Sequence, residues 1–387
     1  MKKLTKLLIL FLIPLLLCSC WDYADIDKRG VVLSVGIDFN KSTGNYLFSG
    51  EIANFPPPSG QHIEQDKKTN IYHFTAQGAS LEDAKLHSDS SVPRPVFLGA
   101  TTVVLFGTSF AEKSIEPYLN RIDGLLDFRK TLLAVVTKES PEELLKVKIN
   151  KDISVGSTIQ DNLQWLEASG KALYTTVGEM LSAISMGDVG YVIPYVGMQA
   201  KDIRYLGLAV MKDSKLIDII DIEDTDGLLY LLADNPRLIE FMPGIKNPNN
   251  IISFHSEVEK RKIKAEYIDN TPVINVNLDV TLELHYQYYV EPISKEELKQ
   301  LEDSLSRKIK IDIQKIVTRS QKEFQCDIFN FVKYLKADCP KAYKTIDWQV
   351  AYPNAKVNIK VSTKIINLDL DDPNAKIKTS EGKHNEE

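Results

Sequence analysis

The most specific chemical context in the chain belongs to Cys20. Lys2, Lys3 and Lys6 give a positive start, and eleven apolar residues follow from Leu7 to Leu17. As a helix that run rises about 16 Å, roughly half of a bilayer's hydrocarbon core. The spacing predicts a secretory signal, not a spanning helix. The run leads directly into Leu17-Cys18-Ser19-Cys20. An aliphatic residue, two small ones and then cysteine is the pattern of a bacterial lipoprotein box. Cleavage before Cys20 leaves its thiol free to carry a diacylglyceryl group, and two acyl chains satisfy the two-signal requirement for stable anchoring. Cys18 departs mildly from the box, where Ala, Ser or Thr is commoner, and it leaves with residues 1–19. The alternative is an ordinary signal peptide ending by chance in cysteine; the register of the apolar run with Cys20 argues against it.

Elsewhere the search for reactive groups returns nothing of that specificity. The chain has no GxGxxG, GxxxxGK[ST], HExxH, CxxC or GxSxG. His62, His73, His87, His255, His285 and His384 are scattered, with none at metal-ligand spacing from another His or Cys. His255 and His285 fall on expected strands, where a solvent-facing or hydrogen-bonded histidine is commoner than a ligand. Asp218, Asp221, Glu223, Asp224 and Asp226 invite a paired-carboxylate reading, but a strand end leading into a helix N-terminus collects acids anyway. The charged run Glu259-Lys260-Arg261-Lys262 with Lys264 is expected as a hairpin tip in water. Tyr286-Gln287-Tyr288-Tyr289 suits a ligand or partner surface, and strand propensity explains it about equally well. Cys326 and Cys339, if on one helix, stand about 20 Å apart and cannot be bridged. No catalytic residue, cofactor site or metal site is therefore expected.

Composition narrows the class. The chain has 387 residues, 43% apolar and 26% charged, close to an average globular protein and long enough for two or three domains. Lys+Arg 47 against Asp+Glu 53 gives −6, which leaves no electrostatic footprint for nucleic acid. Removing residues 1–19 takes away three lysines and no acid, so the mature chain is 44 − 53 = −9. On that count acyl chains, and no polybasic patch, are expected to hold it to a membrane.

The periodicities imply a mixed α/β (α+β) chain in several domains, with antiparallel-rich mixed sheets, packed helices and one long C-terminal helix. Alternation at Val31–Asp38 and Tyr46–Ala53 around Asn40–Asn45 predicts an opening hairpin. Pro56-Pro57-Pro58-Ser59-Gly60 and the residues to Asn70 read as an exposed loop. Ile71–Gln77, Thr101–Phe106 and Thr131–Thr137 read as strands, and Leu81–Ser88 as a helix. Ser109–Glu112 is expected as a capping box opening a helix toward Ile122. Ser140-Pro141-Glu142-Glu143 is a strong helix start, and Val177–Met186 a helix stopped by Gly187. A second half is placed from 196, with strands Leu206–Met211 and Leu216–Ile222, helix Thr225–Ala233, paired strands Ile251–Val258 and Ile263–Ile268, and strand Val273–Tyr289. Ser294–Glu297 caps a helix of some forty residues, expected to bend near Thr318–Ser320, and Val357–Ile365 closes the sheet. The divisions are 1–19 signal, 20–195, 196–370 with a further break at 260/261 left open, and a disordered charged tail 371–387.

A family resemblance emerges from these segments together. Cys20-Trp21-Asp22, continuing Ile26-Asp27-Lys28-Arg29-Gly30 to Gly36-Ile37-Asp38, resembles the mature N-terminus of the Ger(x)C family. Gly99–Gly107, Leu126–Arg129, Leu206–Leu216, the run Ser320-Gln321 through Phe324, Asp327, Ile328, Phe329 and Phe331, then Pro340 and Trp348, are similar in the same order. The family often has His where Ala100 stands and Gly where Asn330 stands. The resemblance implies the lipoprotein C subunit of a nutrient germinant receptor, on the outer face of the inner membrane of a bacterial spore. It implies two partners, an A subunit with membrane spans and a B subunit similar to an amino-acid transporter. It implies no catalysis, and leaves open whether this subunit binds nutrient. Two other readings compete: a solute-binding lipoprotein of an ABC importer, built from two doubly wound lobes, and a lipid-anchored hydrolase, which the empty motif search disfavours.

Overall fold

The computed structural model describes residues 28–53, 71–125, 127–149, 153–187 and 189–366. The signal 1–19, Cys20, the loop Pro56–Thr69 and the tail 371–387 lie outside the described residues.

β1 (Gly30–Phe39) and β2 (Tyr46–Ala53) make the opening hairpin, and β3 (Ile71–Gly78) adds antiparallel to β2. α1 (Leu81–Ser91), capped by Ser80, leads to β4 (Val96–Phe97), a short parallel neighbour of the start of β1. The centre is built by crossovers: β5 (Val103–Gly107), α2 (Thr108–Lys113), α3 (Glu116–Gly124), β6 (Leu133–Thr137), α4 (Pro141–Leu145), α5 (Val155–Ala168), α6 (Val177–Met186) and β7 (Tyr191–Gln199). β8 (Asp202–Lys212) and β9 (Lys215–Asp221) continue as an antiparallel meander. The sheet order is β3-β2-β1-β5-β6-β7-β8-β9, with β1, β5, β6 and β7 parallel. Continuous apolar runs form β5 and β6 because both faces are covered. Val103 and Leu105 enter one core with Leu133 and Val135, while Val104 and Phe106 enter another with Ala134 and Val136.

The second sheet follows α7 (Asp226–Leu232). Its order is β10 (Arg237–Pro243), β11 (Ile251–Ile268), β12 (Thr271–Gln287) and β13 (Lys356–Ile366), with β13 parallel to β12. Between β12 and β13 lie α8 (Lys295–Arg319), α9 (Val332–Asp338) and two short helices, Pro340–Tyr343 and Trp348–Ala351. Leu301, Leu305, Ile309, Ile313 and Ile316 of α8 are buried with Ile274, Val276, Leu278, Val280 and Leu282 of β12. The same core takes in Leu208, Val210 and Ile220 of the first sheet, so the two sheets share one apolar interior.

Two local expectations are corrected. Ser109–Glu112 is no capping box: α2 starts at Thr108 directly from β5 without a side-chain cap, and Thr108 Oγ1 donates to the Thr137 carbonyl at 2.8 Å. Glu259–Lys262 is no hairpin tip, because β11 runs unbroken through it. The turn sits at Asp269-Asn270, both at positive φ (48° and 60°), as a two-residue turn matching strand twist requires. Charge is tolerated mid-strand because one face of this sheet is in water: Arg261, Ile263 and Ala265 point inward while Lys260, Lys262 and Lys264 are exposed. β7 runs through residues 195 and 196, and β8 and β9 complete the first sheet, so the seam between the two sheets follows Asp221. The long helix is α-helical to Arg319; the expected bend is a π turn, Ser320–Phe324, stopped by Gln325 in the left-handed region (φ 49°).

Candidate functional site

The segment Ser320–Phe331, which carried much of the resemblance, folds against the first sheet at the seam. Asp327 is completely buried. Its carboxylate accepts from Phe329 N (3.1 Å), Val332 N (2.9 Å) and Trp348 Nε1 (3.1 Å), and its carbonyl accepts from Gly190 N (3.1 Å) just before β7. Burial, against these donors, holds the carboxyl up at about 6. Ser320 Oγ donates to the Cys326 carbonyl (2.8 Å) and meets the Tyr352 hydroxyl (2.5 Å), and Lys212 Nζ of β8 donates to the Gln325 carbonyl (3.1 Å). A Cβ at Gly190 would stand 2.8 Å from Cys326 Sγ and 2.9 Å from the Met211 carbonyl, so glycine permits this close approach. Burial also pushes the Cys326 thiol up to about 12, which makes it inert; Cys326 and Cys339 are both unpaired thiols.

Two ionic nodes hold α8, one on its own sheet and one across the seam. Glu240 of β10 is fully buried, accepting from Lys308 Nζ (2.7 Å) and the Tyr230 hydroxyl (2.8 Å); Lys308 also reaches Asp312 (3.0 Å). Burial, then the Glu240 charge, raises the neighbouring Asp226 carboxyl to about 6. Arg319 lies near Asp218 (3.8 Å), Asp224 (3.6 Å) and Glu323 (3.0 Å), and Lys315 pairs with Asp224 (2.5 Å). Within the acidic run Asp218–Asp226, Asp218 and Asp224 are therefore held by basic partners on α8. Glu51, a buried acid that sequence reasoning passed over, accepts from Ser34 Oγ (2.6 Å), Val155 N (2.8 Å) and Gly156 N (3.0 Å) and caps α5. Only the tertiary approach of β2 to α5 reveals it.

A groove of about 890 Å³ opens at the seam, between α6, the start of β7, the end of α7 and Ile328–Asn330. Asn330 stands at φ 55°, a left-handed conformation that asparagine tolerates better than most residues other than glycine. Its Oδ1 is buried without a hydrogen-bond partner. His255 and His285, thirty residues apart in sequence, are brought together by the β11–β12 register with ring centroids at 4.1 Å. Burial and then His285 depress the His255 pKa. No group of three His, Cys, Asp or Glu poised for a metal occurs among the described residues. Tyr286, Tyr288 and Tyr289 are exposed at the end of β12. Cys20 lies outside the described residues, and among those described no helix is long and apolar enough to cross a membrane.

Comparison with known proteins follows this geometry. Residues 22–198 match the family described as "Spore germination protein N-terminal domain", and residues 206–368 match "Spore germination B3/ GerAC like, C-terminal". The chain is 22% identical to spore germination protein B3 of Bacillus subtilis (strain 168), over 95% of this chain and 99% of the relative. It is 20% identical to spore germination protein KC of the same organism, over 94% and 95%. The crystal structure of the GerBC protein superposes with a TM-score of 0.56 at 18% identity, covering 86% of this chain and 97% of that one, a likeness of fold.

Proposed function

Because the chain belongs to the Ger(x)C family of spore germination proteins, we propose that it is the lipid-anchored, non-catalytic C subunit of a nutrient germinant receptor. The observation that carries this reading is the collinear match of both halves, 22–198 and 206–368, to spore germination families. Diacylglycerol on Cys20 holds the chain on the extracytoplasmic face of the spore's inner membrane. There it contacts a membrane-spanning A subunit and a transporter-like B subunit and keeps them in a competent geometry. The seam is compatible with a holding role: Asp218, Asp224 and Asp327 serve structural partners, and its buried thiol is kept protonated.

A deletion strain should lose germination with its own nutrient, keep responses through other receptors, and contain less A and B partner by immunoblot. Normal germination across a nutrient panel, with partner levels unchanged, would sink the reading. A Cys20→Ala chain should fold yet leave the membrane in a high-salt wash; persistence in the membrane would remove the lipid anchor. Saturable nutrient binding by the purified chain would favour a solute-binding lipoprotein instead.

A further inference from the structure

We propose that the outward face of the β10–β13 sheet docks flat on an anionic lipid surface. The inner face of this sheet is covered by α8 and α9. The outer face is in water, and register places lysines across it in rows. Lys262 of β11, Asn277 of β12 and Lys360 of β13 stand side by side; so do Lys260, Asp279 and Ser362, and Lys264, Asn275 and Asn358. Lys356 and Lys364 complete the β13 edge. All six lysines are exposed and none takes part in an ion pair among the described residues. The exposed acids of the same face are Glu257, Glu259, Glu266, Asp279 and Glu283, and Arg237, paired with Glu257, adds a seventh cation. Seven cations against five acids leave this face at 7 − 5 = +2 in a chain of net charge −6, with the lysines gathered toward β13.

One end of the same face is aromatic. Phe241 of β10, Ser253 of β11 and Tyr286 of β12 form a row, with Tyr288 at 6.0 Å from Tyr286 by ring centroid. Their exposures of 61% (Phe241), 54% (Tyr286) and 60% (Tyr288) leave the rings free to enter an interface. Strands about 4.8 Å apart, twisted relative to one another, set the ammonium groups of β11 and β13 on one continuous face that can meet headgroup phosphates. Tyr and Phe at its border have the amphipathic character that sits at the headgroup level. A groove or edge strand would suit a peptide; a flat cationic face with an aromatic margin suits a headgroup surface. The inference rests on this geometry and not on acylation of Cys20, so the two fail separately.

The test uses residues 20–387 carrying Cys20→Ser, floated with vesicles of phosphatidylcholine alone or with one-third phosphatidylglycerol. Binding is expected with phosphatidylglycerol only, and is lost at high salt. Each lysine near an anionic surface strengthens partition about five-fold, so a Lys260→Gln, Lys262→Gln, Lys360→Gln chain should bind about 100-fold more weakly with an unchanged thermal melt. Tyr286→Ala with Tyr288→Ala should weaken binding several-fold at low salt. Failure to float with phosphatidylglycerol, equal flotation with both vesicles, or an unaffected triple variant would overturn the proposal. Capture on poly-glutamate without vesicle binding would also overturn it, assigning the face to an acidic protein.

Discussion

Replacing Asp327 by Asn tests whether burial dominates its carboxyl. The native group titrates at about 6 against an ordinary 3.8, a difference worth about 3 kcal/mol. The sign follows from proton counting. Between pH about 4 and about 6 the folded chain keeps a proton that the unfolded chain has released. The stability from this group is therefore full below about 3.8 and is lost as pH rises through about 6. Asn cannot titrate, and its single acceptor oxygen cannot serve Phe329 N, Val332 N and Trp348 Nε1 together. The variant should be less stable at pH 4, and the gap should narrow by about 3 kcal/mol as pH rises to 7. Asp226, also raised to about 6, titrates in both proteins and cancels in the difference. Urea unfolding followed by circular dichroism across this range measures the gap. A gap independent of pH would refute the reasoning, and one that widens with pH would mean that the donors hold the carboxylate charged.

Lys308→Met leaves Glu240 and Asp312 without their cation in a buried setting and should cost about 3–5 kcal/mol in the same assay. Adding Glu240→Gln should recover part of that loss; no recovery would mean that the pair itself is not the cause. Asn330→Gly removes an unpartnered buried oxygen at a position with φ 55°, so the melting temperature should hold or rise, and a fall of several degrees would contradict this account. In limited proteolysis Leu298–Ile316 should resist early cleavage because its apolar stripe is buried on β12.

Where local chemistry decides, the sequence was enough. Ser140-Pro141 and Ser294–Glu297 fixed helix starts through caps that bond within four residues, and Val177–Met186 with Gly187 fixed a whole helix. The apolar runs of β5 and β6 announced strands covered on both faces. The bend after Arg319 was legible as an overlong helix, though not as a π turn. Other features depend on residues far apart in the chain, and no short-range pattern encodes them. The charged stretch Glu259–Lys264 looked like a tip because alternation of charge with apolar residues reads weakly until a partner strand fixes which side is wet. Pairing with β12 showed Arg261 inward and the lysines outward, and pairing with β13 brought Lys360 beside Lys262 across Asn277. Net charge, a sum, could not show that segregation. Asp327, Glu51 and Glu240 likewise read as ordinary acids until tertiary contact buried them among donors. The lipid anchor proposed at Cys20 is read locally, from an apolar run and four residues; the lysine face and the seam exist only because register and packing place distant residues within a few ångströms.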